Sequence, residues 1–350
     1  MLFCNFAVTK NIAMKKWIVM IAGAMLFGAI NSACVGKEKT KSDAEQQPDR
    51  TSQILGQFSA DSAYRYITEQ LAFGPRVPGS EGHRACRDYI INRLEGFGAD
   101  SLMIQDGIVT AFDGTKLPIT NIIAGYNINA PRRILLAAHW DTRPWADKDH
   151  DSGNHSKPVP GANDGASGVA VLLEIARNLA IKDPNVGVDL MFIDAEDYGD
   201  DKGFSDNEDT WCLGSQYWIK QGMPPYRPEN LPAYGILLDM VGGRDARFYY
   251  EYFSQANAAN PTIKVWSEAE NINHNDRFIR RVGGGVTDDH VFLTRAGIPT
   301  TVIIECLNDQ TQSFPPVWHT VDDDINYIDT KTLKAVGETV LNVVYKEKRY

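Results

Sequence analysis

The sequence predicts an α/β fold with three layers, α/β/α, and a central, mostly parallel mixed sheet. Helical and strand-like patterns alternate along the chain, which is typical of a parallel sheet covered by helices on both faces. The chain has 350 residues, of which 43% are hydrophobic and 23% charged, so it has a soluble globular composition and can bury a large core. Residues 53–350 contain no second linker, repeat or low-complexity block and are expected to form a single domain.

Four helices are predicted from apolar residues that recur at helical spacing: residues 59–73, 81–97, 166–180 and 330–346. Asp329 is the expected N-cap of the last helix. Short runs rich in β-branched residues lie between these helices and predict the strands of the sheet. The predicted strands are residues 121–125, 134–138, 188–193, 235–238 and 300–304.

The N-terminal segment has the layout of an export signal. Met14, a second candidate start, is followed by two lysines, an uncharged apolar stretch and small residues. Because the apolar stretch is shorter than the ~20 residues of a membrane-spanning helix, residues 1–33 are expected to be a signal peptide. The segment Ser32-Ala33-Cys34 resembles the end of a bacterial lipobox, which favours a lipidated Cys34. Plain cleavage is the alternative.

Residues 34–52 are polar and charged, without apolar periodicity, and are expected to tether the domain to an envelope anchor. The expected location is therefore the bacterial periplasm or cell envelope, as a lipoprotein that contacts the membrane only through this anchor. The formal net charge of −10, with no basic stripe, argues against a nucleic-acid partner.

The cysteines do not form a metal or redox motif. No CxxC pair is present, so a thiolate zinc site is not expected. Cys86, Cys212 and Cys306 lie in the domain and are expected to be buried thiols, with at most one disulfide among them.

Acidic and imidazole side chains follow several predicted strands. In open α/β sheets, ligands bind beyond the carboxyl ends of the strands. At least four separate segments bring such groups to that edge, which chance rarely supplies. The positions are His139, Asp164, Glu196, Asp197, Asp239, Asp288 and His319.

Each position also has a structural interpretation when it is taken alone. Asp164 could be a helix N-terminal carboxylate favoured by the helix dipole, and His139 could be a hydrogen-bonded core histidine. The adjacent Glu196 and Asp197 would repel each other unless a cation or a shared proton relieved them. Two aspartates and a histidine suit zinc with an open coordination position, and Glu196 would then be an unligated general acid/base.

Six motifs resemble those of the zinc aminopeptidase (M28-like) superfamily, and within it the glutaminyl cyclases. They occur in this order: "HWD", "GANDGASG", "DAEDYG", "LLDMVG", "DDHVFL" and "VWHTVDD". The resemblance covers residues 53–350. It implies a zinc-aminopeptidase-like fold and an acyltransferase reaction. In that reaction the N-terminal glutamine of peptides or secreted proteins becomes pyroglutamate, with loss of ammonia.

The resemblance also implies residue roles. One zinc ion would be held by Asp164, Asp197 and His319. Glu196 would move the proton, with Asp239 and Asp288 hydrogen-bonding around the reacting groups. The substrate pocket would be bounded by Trp318 and His139.

This chain departs from the animal cyclases at two positions. Ala138 stands where they carry a cysteine, so their disulfide at that place is not expected. Asp197 replaces a glutamate as the metal carboxylate, and zinc tolerates either.

Two other functions fit the same motifs. A di-zinc aminopeptidase would use His139 and Asp239 for the second ion, with Asp164 bridging and Glu196 activating water. A catalytically idle binding lipoprotein is the less favoured alternative, because an idle site has no need of Glu196.

The polar loop of residues 139–168 contains more potential ligands than one site can use. Only His139, Asp141 and Asp164 are placed to reach the site. The remaining histidines and aspartates are expected at the loop surface: Asp147, Asp149, His150, Asp151 and His155.

Overall fold

The computed structural model describes residues 54–202 and 207–349. The predicted signal peptide, Cys34 and the whole polar tether lie outside the described residues. No helix within the described ranges is long and apolar enough to cross a membrane.

The described residues form a central sheet, a small second sheet and flanking helices. The strands are β1 (Ser101–Thr110), β2 (Lys116–Tyr126), β3 (Arg133–His139), β4 (Gly187–Ile193), β5 (Gly235–Leu238), β6 (Phe248–Tyr250), β7 (Phe278–Val282) and β8 (Thr300–Ile303). The helices are α1 (Ala60–Leu71), α2 (Glu81–Gly96), α3 (Ala166–Ile181), α4 (Leu213–Lys220), α5 (Tyr252–Asn257), α6 (Ala259–Asn271), α7 (Asp289–Arg295) and α8 (Thr330–Lys346).

Within the described ranges, the central sheet has six strands in the order β1-β2-β4-β3-β5-β8. The strands β4, β3, β5 and β8 are parallel, whereas β2 pairs antiparallel with both β1 and β4. The mostly parallel mixed sheet is therefore confirmed. Strands β6 and β7 form the separate pair.

Helices cover both faces of the sheet, which confirms the three-layer prediction. Alternate strand residues point to opposite faces, so Ile134 and Leu136 of β3 belong to one core cluster and Leu135 to another. The first cluster is completed by α1, α2, α3, α6 and α8. Trp218 of α4 and Leu293 of α7 pack in the second.

All four predicted helices and all five predicted strands are present, with small shifts at their ends. The largest shift is in β2, which begins five residues before the predicted strand because its first half alternates between exposed and buried residues. The side chains of Cys86, Cys212 and Cys306 are buried free thiols, as expected.

Candidate active site

The sheet order brings three strand ends together. Strands β4, β3 and β5 are adjacent and parallel, so the segments that follow them meet at one edge. His139 ends β3, Glu196 and Asp197 follow β4, and Asp239 follows β5 directly. Asp164 lies just before α3, which packs on β3. The topology thus collects carboxylates and an imidazole from four separate segments.

Asp164, Asp197 and His319 converge on one point. Each offers a ligand atom within 4.8 Å of the others, and all three side chains are buried. The Nε2 of His319 lies 3.0 Å from Asp197 Oδ1 and 3.8 Å from Asp164 Oδ2. Neither carboxylate oxygen of Asp197 has a hydrogen-bond donor among the described residues. A buried carboxylate of this kind is relieved by a cation or by a proton, and two carboxylates with one imidazole are a set of ligands that fits a zinc ion.

The protonation of Asp197 reflects this crowding. Burial raises the pKa of its carboxyl and Asp164 raises it further, although the imidazole of His319 opposes the change. A bound dication would reverse this balance by favouring the ionised carboxylate.

His139 forms a second group with Asp164 and Asp239, whose ligand atoms also lie within 4.8 Å of one another. Its Nε2 is 3.0 Å from Asp164 Oδ1 and 3.2 Å from Asp239 Oδ1. Burial lowers the pKa of His139, but hydrogen bonds to Asp141, Asp164 and Asp239 outweigh it and raise the pKa well above its usual value. Asp164 therefore has one oxygen near each histidine.

Glu196 is only partly buried and opens into a cavity, unlike the fully buried Asp197 beside it. Its Oε1 accepts a hydrogen bond from Cys212 Sγ at 3.3 Å. Burial raises the pKa of Glu196 well above its usual value, and the nearby Asp288 and Asp197 raise it further, against an opposing effect of His139. A carboxyl whose pKa is raised in this way can act as a proton acceptor and then as a donor.

Three buried carboxylates that bind backbone amides hold these segments in place. Asp141 accepts from the backbone N–H of Glu196 and Asp197 at 3.0 and 3.2 Å. Asp323 accepts from Asn163 and Asp164 at 2.8 and 3.0 Å. Asp194 accepts from Ala195 at 2.8 Å and from the His83 ring at 2.9 Å. The sequence interpretation placed Asp141 near the site but missed Asp323 and Asp194, although they lie in the motifs "VWHTVDD" and "DAEDYG".

Residues with left-handed backbone conformations occur at or beside several of these side chains and help to orient them. Ala195, Met240 and His319 have φ values of 51°, 49° and 56°, which non-glycine residues rarely adopt. Each lies at or next to a site residue. Such local strain is common at functional sites, where the surrounding contacts over-determine the conformation.

The expectation that Asp147 and Asp149 lie at the loop surface is wrong. Asp147 accepts two hydrogen bonds from Arg143, both at 2.8 Å, and lies 3.6 Å from His319 Nδ1. Asp149 is buried and accepts from the backbone N–H of Val321 at 3.0 Å. These contacts tie the loop to the segment that carries His319. The other three residues of the group, His150, Asp151 and His155, are exposed as expected.

Arg143 links the loop to the metal-binding segment. Its guanidinium donates to the backbone carbonyls of Asp197 and Gly199 at 3.1 and 3.2 Å. It also lies 3.7 Å from the Asp197 carboxylate and stacks over the ring of Trp211. Residue patterns could not identify this contact, because it joins two loops.

A cavity of about 930 Å³ opens above the carboxylates. Trp318 lies on its wall and stacks on the ring of His319, with ring centroids 3.8 Å apart. Phe314 packs against the same indole at 4.4 Å. Trp318 thus forms an apolar wall at the mouth of the candidate metal centre, while the ring of His139 lies deeper and is buried.

Comparison with known proteins identifies the family. Residues 121–344 match the model of peptidase family M28. The chain belongs to peptidase family M28. Its resemblance to the glutaminyl cyclases within that superfamily is confirmed by the relatives that follow.

This M28 chain is 25% identical over 289 residues to glutaminyl-peptide cyclotransferase of Bos taurus, covering 75% of this chain and 76% of the relative. It shares 48% sequence identity with a glutaminyl cyclase of Bacteroides thetaiotaomicron, whose crystal structure is bound to N-acetylhistamine. That match has a TM-score of 0.79 and covers 83% of this chain and 99% of that chain. A structure described as a Zn-dependent exopeptidase of Parabacteroides distasonis is 46% identical, with a TM-score of 0.78 and coverage of 83% and 99%.

Proposed function

We propose that this protein is a zinc-dependent glutaminyl-peptide cyclotransferase. It converts the N-terminal glutamine of peptides or proteins to pyroglutamate and releases ammonia. The observation that carries the proposal is the pairing of a complete Asp164, Asp197 and His319 set with the cavity-facing carboxylate of Glu196. The 48% identity to a solved glutaminyl cyclase supports the cyclisation reaction over other M28 chemistry.

Asp164, Asp197 and His319 would hold one zinc ion, which supplies a Lewis acid for the γ-carboxamide carbonyl of the substrate. The rest of the site acts through the chain's own side chains. Arg143 and Asp147 hold the Asp197 segment and the His319 ring in place. Orientation of ligands by neighbouring hydrogen bonds is general in metal sites.

Glu196 moves the proton that the reaction requires. As the α-amine nitrogen attacks the side-chain carbonyl carbon, Cδ, a C–N bond forms and the nitrogen must lose a proton, which the Glu196 carboxylate accepts. The bond from Cδ to the amide nitrogen, Nε2, then breaks, and Glu196 returns the proton to the departing nitrogen, so that ammonia leaves. Its raised pKa makes the ionised group a stronger base for the first step, and the protonated group is the donor in the second.

Asp239 and Asp288 line the same cavity and would accept hydrogen bonds from the substrate nitrogens. Asp288 has one carboxylate oxygen without a donor among the described residues, so it can accept a new hydrogen bond. Trp318 would bound the space in which the glutamine side chain lies, whereas the buried His139 is not among the residues that line this cavity.

An M28 aminopeptidase is the second candidate. The observation that favours it is the grouping of His139, Asp164 and Asp239, which could hold a second zinc ion with Asp164 bridging. The Parabacteroides distasonis relative is described as an exopeptidase. The presence of Glu196 beside a full ligand set argues against a purely binding protein.

One assay separates these functions. The purified protein is incubated with a Gln-Xaa-Xaa peptide, the products are followed by mass spectrometry, and zinc per chain is measured. Ammonia loss from an otherwise intact peptide, with about one zinc per chain, is expected. Release of a free amino acid with two zinc ions would instead assign an aminopeptidase, and an unchanged peptide would assign a binding role.

We also propose that the protein works in the cell envelope, anchored through a lipid on Cys34. The proposal depends on the sequence of residues 14–34 alone. Metabolic labelling with an alkyne fatty acid, followed by fractionation, tests it: the wild type should carry the label and Cys34→Ala should not. An unlabelled, secreted wild-type protein would indicate plain cleavage.

A further inference from the structure

Two neighbouring aromatic side chains lie exposed on the wall of the cavity. Tyr252 and Phe253 begin α5 and are 57% and 37% exposed, and their rings meet edge to face at 5.4 Å. Single exposed apolar residues are ordinary on a protein surface. An adjacent aromatic pair that lines the same cavity as the catalytic carboxylates is a surface suited to burying an apolar group.

The pair is held rigidly by one buried carboxylate. Glu251 is fully buried and accepts hydrogen bonds from the backbone N–H of Phe253 at 2.9 Å and of Ser254 at 2.7 Å. It also accepts from the backbone N–H of Val286 at 3.0 Å and from the His290 ring at 2.9 Å. Four donors from three segments therefore fix the aromatic pair to the loop before α7.

The Glu251 anchor also keeps the aromatic pair close to the reacting groups of the site. The amides of Phe253 and Val286 donate to the same oxygen of Glu251, so their backbones are neighbours. Val286 precedes Asp288 by two residues, and Asp288 lines the cavity beside Glu196. Because an extended peptide advances only about 3.3–3.6 Å per residue, a substrate that enters the site can reach the pair within its first few residues.

The wall between the aromatic pair and Asp288 contains the glycines 283–285. The carbonyl of Gly284 accepts from the backbone N–H of Tyr252 at 3.0 Å, which places this segment beside the pair. A side chain added at Gly285 would meet Phe253 and the Cβ of Tyr252 at 3.5 Å. Without such side chains, the path along the wall stays open.

We propose that Tyr252 and Phe253 form a subsite for an apolar side chain at one of the two positions that follow the N-terminal glutamine. The inference rests on the proposed cyclotransferase function and defines its substrate class as peptides with an apolar residue near the N-terminus. The occupant is a substrate because the pair is continuous with the catalytic cavity. A cavity of about 930 Å³ also far exceeds what a glutamine side chain fills.

The test compares kcat/KM for tetrapeptides that differ at the second or third position. Gln-Phe-Ala-Ala and Gln-Ala-Phe-Ala are set against Gln-Lys-Ala-Ala and Gln-Ala-Ala-Ala, with ammonia release as the readout. One phenylalanine peptide should exceed the alanine reference by roughly tenfold in the wild type. In a Tyr252→Ala, Phe253→Ala double variant this advantage over the alanine reference, measured on the same variant, should fall below about threefold.

Ile263→Ala is the matched control, since Ile263 is an apolar residue of α6 that is 48% exposed and does not line the cavity. It should keep the wild-type preference. If a thermal melt shows that the double variant is not folded, the single Tyr252→Ala variant replaces it. Its preference for the phenylalanine peptide should also be lower than that of the wild type.

Several results would overturn the proposal. These are an equal rate for all peptides, a preference for lysine, or a preference that survives in the variants. Loss of a dimer in the double variant, with unchanged selectivity, would assign the pair to a contact between copies. A wild type that releases no ammonia from any peptide would instead refute the cyclotransferase function itself, and the subsite with it.

Discussion

Glu196 and Asp197 are adjacent in sequence but face different surroundings. All three side chains line the cavity, but Asp197 is buried beside His319, whereas Glu196 is more exposed and has Cys212 as its neighbour. Backbone geometry creates this difference, because the Asp141 carboxylate fixes both amides while the side chains diverge. The residue proposed to move the proton thus differs in its surroundings from the residue proposed to hold the metal.

Glu196→Gln keeps the size of the side chain but removes the proton acceptor. We expect kcat to fall by about 10²–10⁴ with zinc content unchanged, measured by ammonia release and by metal analysis of the purified variant. The control is Glu208→Gln, which changes another carboxylate on the cavity wall, partly exposed and paired with Arg295. Near-normal turnover of Glu196→Gln would remove this residue from the proton transfer.

Cys212 positions Glu196 through a single weak hydrogen bond. The thiol is buried, donates to Glu196 Oε1 at 3.3 Å, and sits on a residue with a φ of 55°. We expect Cys212→Ala to lower kcat severalfold with little change in KM, because the carboxylate loses its donor but the pocket stays intact. Cys212→Ser retains a donor and should restore most of kcat. Equal losses in both variants would indicate a packing role instead.

Residue patterns found the groups that follow strands but not the groups that hold them. Asp164, Asp197 and Glu196 could be picked out because each lies at the end of a predicted element. Asp323 accepts a hydrogen bond from the backbone amide of Asn163, and Asp147 lies beside the ring of His319. In both cases the partner is distant in the chain. Only the folded chain shows which loops are neighbours, so their contacts could not be predicted.

At the scale of elements, the missed segments are short or weakly patterned. Strand β1 is an edge strand whose burial alternates from Met103 to Thr110, but its sequence, SLMIQDGIVT, does not alternate between apolar and polar residues. Helix α4 has only eight residues, and α6 carries a proline in its first turn. Their packing against the sheet supplies the stability that local propensity lacks.

Helix α8 ends at a buried anchor that ties it to three other segments. Glu347 is 5% exposed, pairs with Arg132 and Lys264, and accepts from Tyr234 Oη at 2.8 Å. Burial would raise the pKa of Glu347, but hydrogen bonds from Lys264, Arg132 and Tyr234 outweigh it and lower the pKa. The ionised carboxylate is therefore the form that stabilises the fold.

We expect Glu347→Gln to lower the free energy of unfolding at neutral pH by about 1.5–3 kcal/mol, measured by denaturant titration. Because the folded-state pKa is lowered, the stabilisation is present above the unfolded pKa of about 4.3 and is lost as the pH falls further through the folded value. The difference between wild type and variant should therefore shrink in acid. Glu270→Gln, at an exposed ion pair with Arg280, should change stability little.

At the scale of the whole molecule, the strand order could not be predicted. The alternation of elements predicts a mostly parallel sheet, but periodicity does not state which strands are neighbours. The observed order places β3 between β4 and β5, and this arrangement brings His139 between the carboxylates of Asp164 and Asp239. The site therefore depends on topology as much as on its residues.

Removal of zinc should destabilise the whole domain, because the metal site joins the ends of separate strands and loops. Without a cation, the buried carboxylates of Asp164, Asp197 and Asp239 lie close together, and few hydrogen-bond donors compensate their negative charge. Free zinc at a hundred times its Kd should add about 2.7 kcal/mol of stability, seen as a higher Tm in a thermal melt. A chelator should reverse the gain, and magnesium should not replace zinc at a site with imidazole ligands.

The Asp197→Asn variant tests whether the change in Tm caused by the chelator comes from loss of the metal or from another effect. The variant loses an anionic ligand, so its Tm should respond little to zinc. Its metal-free form should be no less stable than the metal-free wild type, because burial and the nearby Asp164 disfavour the ionised carboxylate that the substitution removes. A wild-type Tm that is the same with zinc and with chelator would contradict the proposed centre. A metal-free variant far less stable than the metal-free wild type would show that Asp197 stabilises the fold without a cation.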